Sequence, residues 1–254
     1  MAFYERDGQE YVPTELTRGP WDPGAQHAGP PAALLGRAIE APGRLIGRIT
    51  IEVLRPIPLT PVSVAHRVAR PGRNVELVEA VLAEARGERR ELARAAAWRM
   101  LPQDGLPEAD PGPPPPGPDA GSVQPFFPTG ELAGYHTAMD VRFVRGGFTE
   151  LGPAVAWFRM RHPLVAGEET SPLARLLVAA DAGNGISGTL DFRRYVFINT
   201  ELTVHLVREP TGEWVCLDAV THPGDRGAGL AESVLLDERG RLGRAAQALF
   251  VRRR

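Results

Sequence analysis

Lysine is missing from this chain: all 29 basic residues among its 254 are arginine. Alongside frequent Ala, Gly and Pro, that bias reads as a GC-rich genome and not as a binding site. Charge of one sign is missing too, since 31 acidic residues leave a formal net charge of −2. Such a balance gives no footprint for nucleic acid or an anionic membrane surface. Cysteine is nearly absent. The single Cys216 excludes an internal disulfide framework and a cysteine metal cluster; in its strand-like run it reads as a small buried hydrophobe. No apolar run approaches the roughly 20 residues needed to span a bilayer. Met1 to Asp7 lacks the charged-then-apolar layout of a secretory signal. The expectation is a cytoplasmic protein without a membrane partner.

Other absences narrow the chemistry. His27, His66, His136, His162, His205 and His222 show no paired metal-ligand spacing, so neither metal nor cofactor is expected. His27, before a helix start, either lines a ligand entrance or is a surface histidine, and the surface role is the expectation. Gly185-Ile186-Ser187-Gly188 brings its second glycine one residue too early for a nucleophile elbow. Gly224 to Gly229 is glycine-rich but lacks the strand-then-helix setting of a phosphate loop.

What is present is a globular composition, 43% hydrophobic and 24% charged. The chain is long enough for one large domain or for two units of about 100–125 residues. A Pro/Gly tract around Asp110-Pro111-Gly112-Pro113-Pro114-Pro115-Pro116-Gly117 can neither pair as sheet nor continue a helix. It divides the chain into an N-terminal unit, 1–101, a linker, 102–125, and a C-terminal unit, 126–254.

The two units repeat. Ile49-Thr50-Ile51-Glu52-Val53-Leu54-Arg55 matches Leu202-Thr203-Val204-His205-Leu206-Val207-Arg208. Before each copy lies a helix opened by proline. Ser171 caps the second, and Leu173, Leu176, Leu177 and Ala180 follow at helical spacing. Gly29-Pro30-Pro31 opens the first, with Leu34, Leu35, Ala38 and Ile39 inward and Pro42 as the stop. After each copy comes alternating strand text: Val75 to Leu82 and Leu92 to Met100 in unit one, Trp214 to Val220, Leu230 to Leu236 and Leu242 to Val251 in unit two. A helix followed by an antiparallel meander, twice over, is an α+β architecture.

Polar residues distinguish the copies. Asp181 falls on the inward phase of its helix, at the C-terminal end where the helix dipole disfavours an anion. It is either a buried carboxylate that needs partners or a turn residue beside Gly183-Asn184-Gly185. Gln247 lies on an apolar strand face where its amide needs hydrogen bonds, and its repeat partner is Ala97. Asn199 and Thr200 open a strand whose equivalents are Ile46 and Gly47. Strict alternation sends Thr200 inward and Asn199 outward; a bend at the strand start would reverse them.

These segments resemble the double-hotdog acyl-CoA thioesterases of the thioesterase II type. The resemblance rests on Gln26-His27-Ala28-Gly29-Pro30-Pro31-Ala32-Ala33-Leu34-Leu35, on Ala180-Asp181-Ala182-Gly183-Asn184-Gly185, on Phe197-Ile198-Asn199-Thr200-Glu201-Leu202 and on Gly240-Arg241-Leu242-Gly243-Arg244-Ala245-Ala246-Gln247. It implies a double hotdog, two antiparallel sheets each wrapped around a central helix. It also implies hydrolysis of a fatty or related acyl-CoA to acid and CoA, by a water held at Asp181, Asn199 and Gln247. The family pattern has Thr or Ser where Asn199 stands, which makes Thr200 the alternative hydroxyl. Acyl-CoA is the implied partner, and homo-oligomers are common for this resemblance. A non-catalytic acyl-CoA or acyl-carrier binding protein is the second reading. A hotdog dehydratase is the third, supported only by His27.

Overall fold

A computed structural model describes residues 1–107, 110–124 and 132–254. Residues 108–109 and 125 of the expected linker, and the first residues of the expected C-terminal unit, 126–131, lie outside the described residues.

In the first half, a hairpin of β1 (Tyr4–Asp7) and β2 (Glu10–Pro13) precedes α1 (Gly29–Ile39). Then come β3 (Leu45–Val53), β4 (Val62–Arg70), β5 (Val75–Glu84) and β6 (Glu91–Met100). In the second half, the single turn α2 (Tyr135–Ala138) leads into β7 (Met139–Gly147) and β8 (Glu150–Met160). Helix α3 (Pro172–Ala180) and the short α4 (Gly183–Ile186) follow. The chain ends with β9 (Tyr195–Asn199), β10 (Glu201–Leu206), β11 (Val215–Pro223), β12 (Ala228–Asp237) and β13 (Gly240–Arg253).

The strands form one 13-stranded antiparallel sheet, ordered β1-β2-β4-β5-β6-β3-β10-β13-β12-β11-β8-β7, with β9 also on β13. The two expected antiparallel sheets run on into each other as one. The repeated strands β3 and β10 pair with each other, Ile51 opposite Leu202, Thr50 opposite Thr203 and Ile49 opposite Val204. That pairing joins what would be two exposed sheet edges. Because Thr50 and Thr203 are equivalent positions, a pseudo-twofold axis passes between them, and their hydroxyls lie 3.1 Å apart.

Both helices lie against the sheet as an antiparallel pair. Two glycines on α1 allow the approach. A Cβ on Gly29 would stand 2.6 Å from the Val178 carbonyl oxygen, and one on Gly36 would stand 2.4 Å from Leu177 Cδ1. Leu34, Leu35 and Ile39 of α1 and Leu173, Leu176 and Leu177 of α3 share one buried apolar cluster with strands of both halves. Described residues of the linker pack on the outer sheet face. Pro116 accepts a hydrogen bond from Trp157 Nε1 (2.8 Å) and Pro111 one from the Arg241 N–H (3.0 Å). Trp157 and Cys216 belong to a small apolar cluster on that face. Burial pushes the Cys216 thiol up to about 12.

Candidate active site

The antiparallel helix pair sets the start of α1 beside the end of α3, and the polar residues gather there. Ser171 caps α3 by accepting the Ala174 N–H, and Pro172 occupies the first turn. The helix therefore starts at a fixed residue and delivers Asp181 as its C-cap, 3% exposed. An anion at a helix C-terminus is disfavoured by the dipole, so its donors are what hold it. Asn199 Nδ2 donates to Asp181 Oδ1 at 2.8 Å, and Gln247 Nε2 approaches the same oxygen at 3.4 Å. His27 Nδ1 lies 2.9 Å from Oδ2.

Gln247, on β13 and 2% exposed, is fixed at both ends of its amide. Its Nε2 donates to the Asp181 carbonyl (3.1 Å), and its Oε1 accepts the Asn184 N–H (3.1 Å). It ties the end of α3 to the sheet from behind. Gly183 makes room, since a Cβ there would stand 3.0 Å from Gln247 Oε1.

Asn199 reaches Asp181 because β9 and β10 are separate strands. The pairing with β13 slips by one residue between Asn199 opposite Leu249 and Thr203 opposite Ala246. Thr200 sits at this break, so the bend reverses strict alternation: Thr200 is exposed and Asn199 turns to the carboxylate. The Thr200 hydroxyl bonds to the Ala248 carbonyl at 3.3 Å, away from Asp181.

His27 is the site residue that the sequence reading placed elsewhere. It is not a surface side chain, being 12% exposed and paired with Asp181. Its N–H donates to Thr17 O (2.7 Å), while the neighbouring Gln26 side chain accepts from the Tyr4 hydroxyl (2.6 Å) and donates to Pro58 O (2.7 Å). The imidazole stacks on Tyr135 with centroids 3.8 Å apart and planes within 4°. The Tyr135 hydroxyl donates to Val178 O (2.9 Å). Burial, and after it the Asp181 charge, raises the Tyr135 hydroxyl well above its ordinary value, so it stays a donor. The signal for His27 was its place just before the proline-opened α1, but that becomes informative only once α1 is known to lie beside the end of α3.

A cleft of about 390 Å³ opens onto this cluster, lined by Trp21, Gln26, His27, Leu54, Ile57, Asp181, Ile198, Asn199 and Thr200, among others. Gln247 lies behind Asp181 and does not line it. The walls are mainly apolar, suited to an organic chain with a few polar groups at one end. Arg55 stands on the wall, and the Arg254 guanidinium lies 5.8 Å over the Trp21 ring. Among the described residues, no group of three or more His, Cys, Asp or Glu side chains is placed to hold a metal ion.

The opposite end of the helix pair is built differently. Its cleft, about 280 Å³, contains Glu40, which accepts a hydrogen bond from the Ser171 hydroxyl at 2.7 Å. Burial raises the Glu40 carboxyl, and nearby Glu209 adds to that; Ser171 and Arg37 oppose it. Apolar Ile46 and Ala97 replace Asn199 and Gln247 here. Arg99 takes over the helix end, donating to Ile39 O (2.8 Å) and pairing with Glu76 (2.9 Å).

Two family models match the chain in turn. The family model of the acyl-CoA thioesterase N-terminal domain matches residues 17–100, and that of the C-terminal domain matches residues 103–251. Among solved structures, one described as a thioesterase II from Thermobifida fusca YX is 23% identical. It covers 98% of this chain and 95% of its own, with a TM-score of 0.74. One described as a thioesterase from Novosphingobium aromaticivorans is 20% identical, covers 98% of both chains and has a TM-score of 0.75. A hot dog fold protein of unknown function from Alicyclobacillus acidocaldarius is 16% identical, covering 97% and 94%, with a TM-score of 0.73. These likenesses show a hotdog fold. No curated protein matches this chain.

Proposed function

This chain belongs to the acyl-CoA thioesterase family and is a thioester hydrolase, and we propose that it cleaves a fatty or related acyl-CoA at the Asp181 cluster. The observation that carries this reading is a carboxylate, 3% exposed, held by Asn199 and His27 at the wall of an apolar cleft. In this reading the sheet is two hotdogs sharing the β3–β10 junction, each with its own helix, and the acyl chain enters between the start of α1 and the end of α3.

The reaction needs an activated water and a place for it. Asp181 supplies the negative charge that drives deprotonation of the water. Asn199 turns its remaining amide atoms to the cleft and holds the water in line with the thioester carbonyl, which is a positioning effect. Gln247 fixes Asp181 from behind. Attack gives a tetrahedral intermediate, and breaking its C–S bond releases CoA and the free acid. No covalent acyl-enzyme is required.

One observation favours a second reading, a protein that binds acyl-CoA without turnover. The direct Asn199–Asp181 bond (2.8 Å) takes up a carboxylate oxygen that a hydrolase would offer to water. A single assay separates the two: thiol release by the purified protein from acyl-CoAs of graded chain length, run with Asp181→Asn and Gln247→Ala. Release that collapses in Asp181→Asn supports hydrolysis at this site, and release that survives both substitutions refutes the site. Acyl-CoA binding with no release establishes the second reading.

A further inference from the structure

We propose that Arg253 and Arg254 form the subsite for the phosphates of CoA. The inference rests on the acyl-CoA reading and says what holds the far end of that substrate. The two arginines close the chain at β13, where exposed guanidinium side chains gather. Arg252 stands opposite Val196 and Arg253 opposite Tyr195, and the Arg254 N–H donates to the Arg194 carbonyl at 3.0 Å. Arg193, Arg194, Arg252, Arg253 and Arg254 are thus neighbours, all exposed. Asp191 pairs with Arg193 (3.1 Å); among the described residues, the other arginines of this group are in no ion pair. The nearby acid on the cleft wall, Asp22, accepts the Gly24 N–H.

Strand register connects this group to the Asp181 cluster. Side chains alternate along a strand, so Tyr195, Phe197 and Asn199 share one face of β9, and Arg253, opposite Tyr195, lies on that face too. Its guanidinium stands 6.0 Å over the Tyr195 ring. Trp21 lines the cleft, meets Phe197 edge-on with centroids 5.1 Å apart and has Arg254 5.8 Å over its ring. Arg254 Nε donates to Phe192 O (2.9 Å), which fixes the guanidinium and leaves its terminal nitrogens as donors.

Length and charge both fit CoA. Tyr195 is four residues along β9 from Asn199, about 13 Å at the rise of a strand. The pantetheine arm, from its sulfur to the first phosphorus, has the bond count of about four extended residues, about 15 Å. A thioester placed at Asp181 therefore sets the pyrophosphate beside Arg253 and Arg254, and guanidinium groups bind phosphate oxygens in bidentate pairs. Trp21 and Ile198 give the arm an apolar wall between the two ends. The first copy has no counterpart. Counting from Ala97 against Gln247, the positions of Arg253 and Arg254 fall on Gln103 and Asp104. The cleft at that end contains Glu40 and Glu209 against one arginine, Arg44.

The test compares two thioesters on the full chain, octanoyl-CoA and octanoyl-N-acetylcysteamine, which keeps the thioester and one amide but has no phosphate. In Arg253→Ala/Arg254→Ala, KM for octanoyl-CoA is expected to rise about 10- to 100-fold, with kcat changed less than about twofold. The loss is expected to be confined to the phosphate-bearing substrate: with octanoyl-N-acetylcysteamine, variant and wild type should differ less than about twofold. Arg241→Ala, at the opposite end of β13, should match wild type on both. Added salt should raise the wild-type KM for octanoyl-CoA more steeply than that of the double variant. A double-variant KM for octanoyl-CoA within about twofold of wild type overturns the inference, and so does an equal loss on both thioesters. An effect seen only with octanoyl-acyl carrier protein overturns it in favour of an acidic protein partner. A wild type that hydrolyses neither thioester refutes the hydrolase reading, and calorimetry then decides the inference without turnover or variants. Wild-type protein is expected to bind CoA at least about tenfold more tightly than pantetheine; equal binding overturns it.

Discussion

Replacing Gln247 with alanine should cost both stability and turnover, by amounts the hydrogen bonds set. The amide is 2% exposed and joins the Asp181 carbonyl to the Asn184 N–H, each at 3.1 Å. Truncation leaves a buried donor and a buried acceptor without partners, at about 1–3 kcal/mol each. A water entering the vacated space recovers part of this, so a net loss of about 2–4 kcal/mol is expected. For a chain of this size that is a fall in Tm of about 5–15 °C, to be read by thermal unfolding. Turnover should fall as well, because Gln247 fixes the backbone that carries Asp181; about tenfold in kcat with little change in KM is expected. Gln247→Glu keeps the acceptor for Asn184 but sets a second carboxylate against Asp181, and should lose more activity than alanine. The equivalent position in the first half is Ala97, where Arg99 serves the helix end instead. An alanine variant within 0.5 kcal/mol of the wild type, on the order of an ordinary surface change, would falsify the claim that this amide holds the site together.

Three further outcomes follow from other residues. Asp237 is fully buried; burial pushes its carboxyl up, but the Arg208 pair (2.5 and 2.7 Å), both Thr211 donors and the Arg239 N–H together bring it below its ordinary value. A folded value below the unfolded one, about 3.9, contributes stability above that pH and loses it as pH falls through the folded value; acid unfolding below about pH 4 should therefore be shallower in Asp237→Asn than in the wild type, and parallel curves refute the assignment. Cys216, buried with its thiol raised to about 12, should resist thiol reagents in the native state at pH 8 and react on unfolding; rapid native labelling contradicts its burial. Thr200→Val removes an exposed hydroxyl whose one bond is 3.3 Å long, so kcat within about threefold of wild type is expected, and a loss like that of Asp181→Asn would return Thr200 to the chemistry.

Much of the fold was legible because the signals were local. The proline-opened helices, the Ser171 cap and the alternating strands of both meanders depend on near neighbours in sequence, and the repeat showed which strands are equivalent. The N-terminal hairpin was not legible: Tyr4–Asp7 and Glu10–Pro13 are four residues each, too short for alternation to register. Which strands join the two sheets was not legible either, since nothing within β3 or β10 says that the partner strand is its own repeat. Asp181 and Gln247 stood out in the sequence because a charge and an amide contradicted the apolar phase around them. Asn199 was singled out through the repeat and the resemblance, but its direction depended on a one-residue slip that alternation cannot express. His27 carried no such contradiction, as nothing in its local sequence requires it to be buried.

The position of His27 changes how the duplication is to be understood. The repeat alone divides the chain into an apolar half and a half decorated with polar residues, as if one were scaffold and the other machinery. The antiparallel helices make the polar cluster a property of the junction instead. Asp181, Asn199 and Gln247 come from the second half, but the imidazole on Asp181 comes from the first, carried by a segment pinned to Thr17 and Pro58. The pseudo-twofold axis creates two such junctions, and sequence decides which of them is equipped. At one end the helix terminus meets an imidazole, an asparagine and a glutamine; at the other, Arg99 and Glu76 close the terminus as an ion pair, with apolar Ile46 and Ala97 at the remaining positions. One buried carboxylate with its donors needs residues that disagree with their apolar surroundings, and each such residue is costly to bury. Placing that set in one copy alone leaves the helix pairing unchanged at both ends and confines the cost to a single end.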